Sequence, residues 1–185
     1  MRHLIAVCCV LFSVHVAAEP WEEMAAEGAA LIPPFQQQLL ETVKAAMASG
    51  GPAKAVEACQ LLAPGIASAH WRDGWAVGRT ALKVRSPDNA PDAWERAVLE
   101  RFAERAAAGE PLASMQQAEV VGGEVRLMKA IPTGEPCLAC HGRKIEPALA
   151  ALIDQRYPDD QARGFAVGDL RGAFTLRRPL ESSVE

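Results

Sequence analysis

The chain has 185 residues, of which 50% are hydrophobic and 23% are charged, proportions typical of a soluble globular protein and unlike those of disordered or fibrous chains. A single domain of this size buries enough surface to fold without a disulfide-dense scaffold. The formal net charge is -4 and the basic residues are scattered among acidic ones, so the sequence lacks the basic field needed to bind nucleic acid.

The first residues have the pattern of a secretory signal. Arg2 precedes an apolar run over residues 4–14, and the small residues 16–18 come before Glu19. The run is about half of the ~20 residues that span a bilayer, so a transmembrane helix is not expected. We predict a cleaved signal peptide over residues 1–18 and therefore an exported, periplasmic protein with no membrane span after cleavage.

Cleavage at that point changes the set of cysteines. Of the five cysteines, Cys8 and Cys9 lie within the predicted signal, which leaves Cys59, Cys137 and Cys140. An odd number of thiols is unusual in an oxidising compartment, where cysteines are normally paired. We therefore expect a role other than simple disulfide pairing.

The next segment is predicted to be helical. Residues 22–51 are rich in Ala, Gln and Leu, are interrupted by Pro33-Pro34, and end at Gly50-Gly51. This pattern predicts one broken helix or two successive helices.

A further helix is predicted from Pro52, because proline suits the first turn of a helix. Its apolar stripe, at helical spacing, consists of Ala55, Cys59, Leu62 and Ile66. The spacing predicts that Cys59 faces the interior.

Residues 75–85 change to an alternating pattern, which predicts a strand with one buried face. Thr80, Leu82 and Val84 alternate there with Arg79, Lys83 and Arg85. After a turn-rich stretch, residues 92–108 form a strong predicted helix with an acidic cap at its start and Gly109 at its end.

The clearest hairpin signal is Gly122-Gly123, which separates the predicted strands 117–121 and 124–131 and indicates antiparallel pairing. A loop over residues 132–143, a short helix over 147–156 and a last strand over 170–177 complete the pattern. This order predicts an α+β fold in which helices pack to one side of an antiparallel sheet.

Cys137, Cys140 and His141 form the C-x-x-C-H pattern of covalent heme attachment. Two thiols at this spacing can reach two vinyl groups on one porphyrin, and the following imidazole can then bind the iron. Export supports this hypothesis, since heme c is made outside the cytoplasm. We therefore expect one covalent heme c per chain.

Two other kinds of site could be formed by the same residues. A zinc site would add Cys59 to Cys137, Cys140 and His141 as a fourth ligand. A thioredoxin-like redox pair would require a βαβ setting, whereas the predicted context is a loop between antiparallel elements.

The second axial ligand remains open on the residues alone. Methionines more often pack in a core or lie on the surface than bind metal, and a histidine in the polar turn at His70 is expected to be solvated. For Cys59, the sequence favours neither a role as an iron ligand nor a role as an inert buried thiol. The candidates are Cys59, His70, Met24, Met47, Met115 and Met128.

Several stretches together resemble a known family: residues 55–59, 74–85, 89–95, 136–142 and 168–174. The sequence is similar to small single-heme c-type proteins of PAS-like fold, long catalogued as a domain of unknown function. Such modules occur alone in exported proteins and as sensor parts of membrane receptors.

The resemblance implies a PAS-like antiparallel sheet with flanking helices and a heme held against it, with His141 and Cys59 as the axial ligands. It covers residues 35–178, so we predict an N-terminal helical lead over 19–34 and a flexible tail over 179–185. A thiolate ligand favours the ferric state and a low potential, which suits a sensor better than a general electron carrier.

Basic and aromatic residues near the resembling stretches are candidates for further heme contacts. Arg79, Lys83 and Arg85, projecting from one strand face, would meet the propionates through charge-assisted hydrogen bonds, or would form a solvated face. Trp75 and Trp94 would pack on the porphyrin or in the ordinary core.

The leading hypothesis is a non-enzymatic module for redox or gas sensing, and the alternative is a periplasmic single-heme electron-transfer cytochrome. A peroxidase-like enzyme is disfavoured because two tight endogenous ligands would close the iron. The receptor versions have a second transmembrane helix and a cytoplasmic output domain, which are not expected here. A redox partner or signalling protein is therefore expected.

Overall fold

The computed structural model describes residues 19–180; the predicted signal peptide and most of the predicted tail lie outside this range. The described residues form five α-helices and four strands. The helices are α1 (Pro20–Leu61), α2 (Ala63–Ala69), α3 (Ala93–Ala107), α4 (Leu138–His141) and α5 (Pro147–Arg156). The strands are β1 (Ala76–Thr80), β2 (Gln116–Val121), β3 (Glu124–Pro132) and β4 (Leu170–Pro179).

The four strands form one sheet in the order β1-β4-β3-β2, and every pairing is antiparallel. The predicted hairpin between β2 and β3 is confirmed. Gly122 and Gly123 have φ angles of 59° and 81°, the left-handed values that a two-residue hairpin turn requires at both positions. The α+β fold class is also confirmed, with the sheet and flanking helices of a PAS-like architecture.

Helices cover both faces of the sheet, so the expectation that they pack to one side is wrong. On one face α1 contributes Phe35 and Leu39 to a core shared with Leu127 and Leu176. On the other face, α3 packs against the opposite side of β3 and β4. Burial of both faces explains the run of four consecutive buried residues in β3, a pattern typical of strands covered on both sides.

The predicted interruption of α1 at Pro33-Pro34 is wrong, and the boundary at residues 34/35 falls inside a continuous helix. Proline removes a hydrogen bond from a helix interior, but Ile32 and Phe35 are almost wholly buried on either side of the pair, and their packing holds the helix together. The predicted end of the first helical segment at Gly50-Gly51 is confirmed as a kink: the backbone angles of both glycines are not helical, and a second helical segment continues from Pro52.

Strand β1 ends at Thr80, five residues before the predicted end of the strand. The Thr80 hydroxyl donates a hydrogen bond of 3.1 Å to the carbonyl oxygen of Asn89, which closes the following residues into a loop. Lys83 and Arg85 lie in that loop, so the expectation that they share a strand face with Arg79 is wrong.

The predicted helices α3 and α5 are confirmed. Asp92 caps α3 by accepting a hydrogen bond from the backbone N–H of Glu95, whose side chain bonds back to the N–H of Asp92, a reciprocal capping box. No helix within residues 19–180 combines the length and apolar character needed to cross a membrane.

Candidate functional site

The cysteine and histidine motif forms a short helical segment between β3 and α5. A 3-10 turn over Glu135–Cys137 leads directly into α4. Cys137 and Cys140 are free, half-buried thiols three residues apart, so they lie on neighbouring positions of one helical face. His141 is the last residue of α4.

The His141 ring is held in one tautomer. Its Nδ1 lies 2.7 Å from the carbonyl oxygen of Ala162, and because a carbonyl only accepts, Nδ1 is the donor. Burial, together with the nearby charges of Arg171 and Arg85, lowers the pKa of His141 to about 3. The neutral ring therefore keeps a free lone pair on Nε2, the state in which imidazole binds a metal.

The C-terminal part of α1 is attached to α5. Val56 forms a buried cluster with Leu149 and Ile153, and Cys140 packs against the same cluster. This cluster brings the end of α1 and the motif helix α4 together, although they are far apart in sequence.

Polar contacts strengthen the attachment. Glu57 and Arg156 form an ion pair at 3.1 Å, and Gln60 donates a hydrogen bond of 3.1 Å to the carbonyl oxygen of Arg156. Cys59 lies between these two anchoring residues, so its position is held from both sides.

Cys59 does not face the interior, contrary to the sequence prediction, because Ala55 and Val56 occupy the buried side of the helix. The thiol is nevertheless crowded by protein. Burial raises the pKa of Cys59, and Arg79 and Arg85 oppose this rise. Cys59 is thus reachable from solvent, while its thiol lies against protein and close to several cations.

The structure places three arginines around the thiols, from three parts of the chain. Arg79 is in β1, Arg85 is in the loop that follows, and Arg171 is in β4. Each of the three guanidinium groups lowers the pKa of the Cys59 thiol, as positive charges close to it would. Sequence reasoning identified Arg79 and Arg85 but missed Arg171, although it lies within the resembling stretch 168–174.

The geometry does not support the two alternative uses of the motif. Within residues 19–180, no three His, Cys, Asp or Glu side chains come together as a metal ion would require, so the four-ligand zinc site that includes Cys59 is not formed. The sheet of the described chain is wholly antiparallel, whereas a thioredoxin-like pair needs a βαβ unit.

His70 has surroundings different from those predicted. It is 7% exposed rather than solvated, and its Nε2 lies 2.8 Å from Oε1 of Gln38. Its ring packs against Phe35 in the core under α1, so its accessible nitrogen is already used in a structural contact.

The methionines also have packing or surface positions. Met115 and Met128 are fully buried against α3, Met24 packs on the core beneath α1, and Met47 is exposed. Cys59 is thus the candidate for the second ligand that the structure brings close to the motif.

The two tryptophans contact protein groups. Trp75 is 2% exposed in the core beneath α1. Trp94 packs against the α3 core, with the Arg126 guanidinium 4.6 Å from its ring centroid and its Nε1 donating to Glu119. Both tryptophans therefore pack in the protein core, which was the alternative to packing on the porphyrin.

A family model described as Tll0287-like matches residues 20–179. Among solved structures, the chain is similar to one described as the crystal structure of the cyanobacterial heme-protein Tll0287, with 30% identity and a TM-score of 0.60, over 88% of this chain and 97% of that chain. No curated protein matches. Because the family model spans nearly the whole described region, the chain belongs to the Tll0287-like family.

Proposed function

We propose that this protein is an exported heme c protein, in which Cys137 and Cys140 attach the porphyrin covalently and His141 and Cys59 are the axial ligands. The observation that carries the proposal is the convergence of an accessible thiol, Cys59, with a motif helix whose histidine keeps Nε2 free. The similar solved structure is described as a heme-protein, which supports the same cofactor here.

The donor groups present fit this cofactor. Two free thiols one helical turn apart suit two thioether bonds, and an imidazole nitrogen and a thiol sulfur are both established axial ligands of heme iron. The arginines near Cys59 offer the charge-assisted donors that porphyrin carboxylates require. A bound heme would supply a one-electron couple and a site for small gases.

His/Cys ligation favours a sensing role. A thiolate donates charge to the iron and stabilises the ferric state, so the potential is expected to be low. With both axial positions filled by the chain, we infer a non-enzymatic module. An incoming gas or an electron would act by weakening the bond to Cys59.

The fold contains an element that would respond to such a change. The segment of α1 after the kink at Gly50-Gly51 carries Cys59 and is held to α5 by Val56 and by the ion pair of Glu57. Loss of the bond between Cys59 and the iron would remove a further restraint on this segment, which would then shift about the hinge at Gly50-Gly51. A redox or signalling partner would read that shift.

A second candidate function is electron transfer. The surface beside α4 has an open recess of about 290 Å³ lined by Leu138, Val167 and Lys144, among others, and Val167 is 55% exposed. Such a surface lets a redox partner approach the motif. In that case both axial ligands would stay bound through the redox cycle.

The experiment is mass and absorption spectroscopy of the holoprotein made in a host that matures c-type cytochromes. We expect the mass of the processed chain plus one heme, a low-spin thiolate spectrum in the ferric form, and a ligand change on reduction or exposure to CO. A mass equal to the polypeptide alone would contradict heme binding. A reversible couple with unchanged ligands would instead support the electron carrier.

A further inference from the structure

Arg79 is a half-buried cation that has no anionic partner within residues 19–180. It extends from β1, where it is paired in register with Phe174 of β4. Within residues 19–180 it forms neither an ion pair nor a hydrogen bond through its side chain, and burial lowers its pKa, opposed by the Cys59 thiol and the Tyr157 hydroxyl. A guanidinium that is partly removed from water and has no carboxylate partner destabilises the fold.

Arg171 is in a similar position on the neighbouring strand. Its guanidinium donates one long hydrogen bond of 3.3 Å to the carbonyl oxygen of Lys83 and lies 5.3 Å from the ring centroid of Phe165. That ring meets the His141 imidazole edge-on, with centroids 6.4 Å apart. Burial, together with the nearby charges of Arg85 and Arg79, lowers the pKa of Arg171 to about 10.

The other two cations predicted for this site are already engaged. Arg85 pairs with Asp160 at 3.1 Å and donates a hydrogen bond of 2.6 Å to the carbonyl oxygen of Cys140. Lys83 is exposed and donates to the carbonyl oxygen of Arg163 at 3.3 Å. Neither Arg85 nor Lys83 is therefore a buried charge that lacks a polar partner.

Two half-buried guanidinium groups near one thiol therefore have no carboxylate partner within residues 19–180. The planar guanidinium fork is matched to a carboxylate, which accepts two parallel hydrogen bonds from it. Heme carries two propionate carboxylates, one for each of these two arginines.

We propose that Arg79 and Arg171 together form a receptor for two carboxylates, and that the propionates of the bound porphyrin supply them. This assignment rests on the proposed heme function. It replaces the expected set of Arg79, Lys83 and Arg85 with a pair in β1 and β4. A free dicarboxylate from solution has the same chemistry, so the test must separate the two sources.

The test compares the wild-type holoprotein with Arg79→Gln and Arg171→Gln, and uses Lys44→Gln as the control because Lys44 is an exposed cation of α1 outside the proposed site. The readouts are heme content by mass, the midpoint potential, and the propionate bending bands in resonance Raman spectra. Covalent heme content should remain unchanged in all four proteins.

Removing a cation close to the heme favours the ferric form. We expect each arginine variant to raise the ferric-to-ferrous ratio on the order of tenfold at the wild-type midpoint, as expected for a unit charge at about 10 Å in a partly buried site, and to shift the propionate bands. Lys44→Gln should change neither the potential nor the propionate bands. Arg79→Lys and Arg171→Lys should restore most of the potential but not the bands, because lysine keeps the charge and loses the fork.

The free-ligand source is tested by adding succinate to each holoprotein and measuring the melting temperature. If succinate stabilises the wild type but not the arginine variants, while the propionate bands are the same in all, the receptor serves a soluble ligand and the assignment to the porphyrin is overturned. Arginine variants whose potentials and propionate bands match those of Lys44→Gln would overturn it as well. Absence of heme from the wild type and control alike would instead refute the proposed function.

Discussion

The Arg85 guanidinium donates a hydrogen bond of 2.6 Å to the carbonyl oxygen of Cys140, which ties the loop after β1 to the motif helix. The same guanidinium pairs with Asp160, whose other carboxylate oxygen is 2.7 Å from Nε of Arg163. Asp160 is therefore shared by two arginines, and it indirectly supports the backbone that positions His141.

Replacing Asp160 tests this support. The Asp160 side chain is 1% exposed, and Asp160→Asn leaves two arginines with a weakened partner, so the free energy of unfolding should fall by about 3 kcal/mol. Urea unfolding at pH 7 measures this loss. Asp159→Asn is the matched control because Asp159 is the exposed neighbour, and an equal loss in both variants would show that Asp160 has no special role.

The same carboxylate predicts a pH dependence. Burial raises the pKa of Asp160, but hydrogen bonds from Arg85 and Arg163 lower it more, so the folded pKa lies below the ordinary value of 3.8. A lowered folded pKa stabilises the fold above the unfolded pKa, and this contribution is lost as pH falls through the folded value.

The stability difference between wild type and Asp160→Asn should therefore be constant from about pH 5 to 7 and shrink below about pH 4. Urea unfolding across this range tests the prediction. A difference that grows towards acid would show that the pKa of Asp160 is raised rather than lowered.

Cys59→Ala tests the second axial ligand. We expect the covalent heme to be retained, since Cys137 and Cys140 are unchanged, while the ferric absorption spectrum loses its low-spin thiolate character. Met47→Leu removes an exposed sulfur from the same helix and should leave the spectrum as it is. An unchanged spectrum in Cys59→Ala would remove Cys59 from the iron site.

Asp92 has two separable roles at the start of α3. It caps the helix through the N–H of Glu95 and pairs with the buried Arg126 at 2.7 Å. Asp92→Ala removes both interactions and should lower the free energy of unfolding by about 2 kcal/mol. Asp92→Asn keeps a good capping side chain and should cost about half as much; equal losses in thermal or urea unfolding would mean that the cap contributes little.

Substitution by alanine is expected to have opposite effects on stability at Gly28 and at Gly65. A Cβ at Gly28 would lie 2.9 Å from the Trp75 ring, whereas one at Gly65 would meet nothing within 4 Å. Gly28→Ala should therefore destabilise the protein by about 1–3 kcal/mol through overpacking. Gly65→Ala should stabilise it by up to about 1 kcal/mol, because alanine is the better helix former.

Melting temperatures measured under identical conditions compare the two glycine variants. A stabilised Gly28→Ala variant would show that the Trp75 ring moves aside without loss of packing. The close approach of α1 to Trp75 would then not require glycine.

Local signals in the sequence were sufficient for several elements. The Gly122-Gly123 turn predicted its hairpin because both positions need left-handed backbone angles, and the acidic cap predicted α3 because it satisfies exposed N–H groups. The motif around Cys137 was visible because its spacing lies within one short segment. Interactions between neighbours along the chain determine each of these features.

Other features depend on contacts between distant segments. Helix α1 continues through Pro33-Pro34 because buried neighbours compensate for the lost hydrogen bonds, and β1 stops early because Thr80 bonds to Asn89. Neither the alternation of polar and apolar residues nor the positions of prolines in the sequence can predict such contacts.

By itself, the sequence determined the identity of the thiols and imidazole, the class of fold and the resemblance to a family, because these depend on residue type and short spacing. Only the tertiary structure decided that Cys59 is accessible, that it lies beside α4, and that Arg171 joins Arg79 near it. The physical reason is that burial and charge pairing are set by segments that meet through packing, as Val56 meets Leu149 and Ile153.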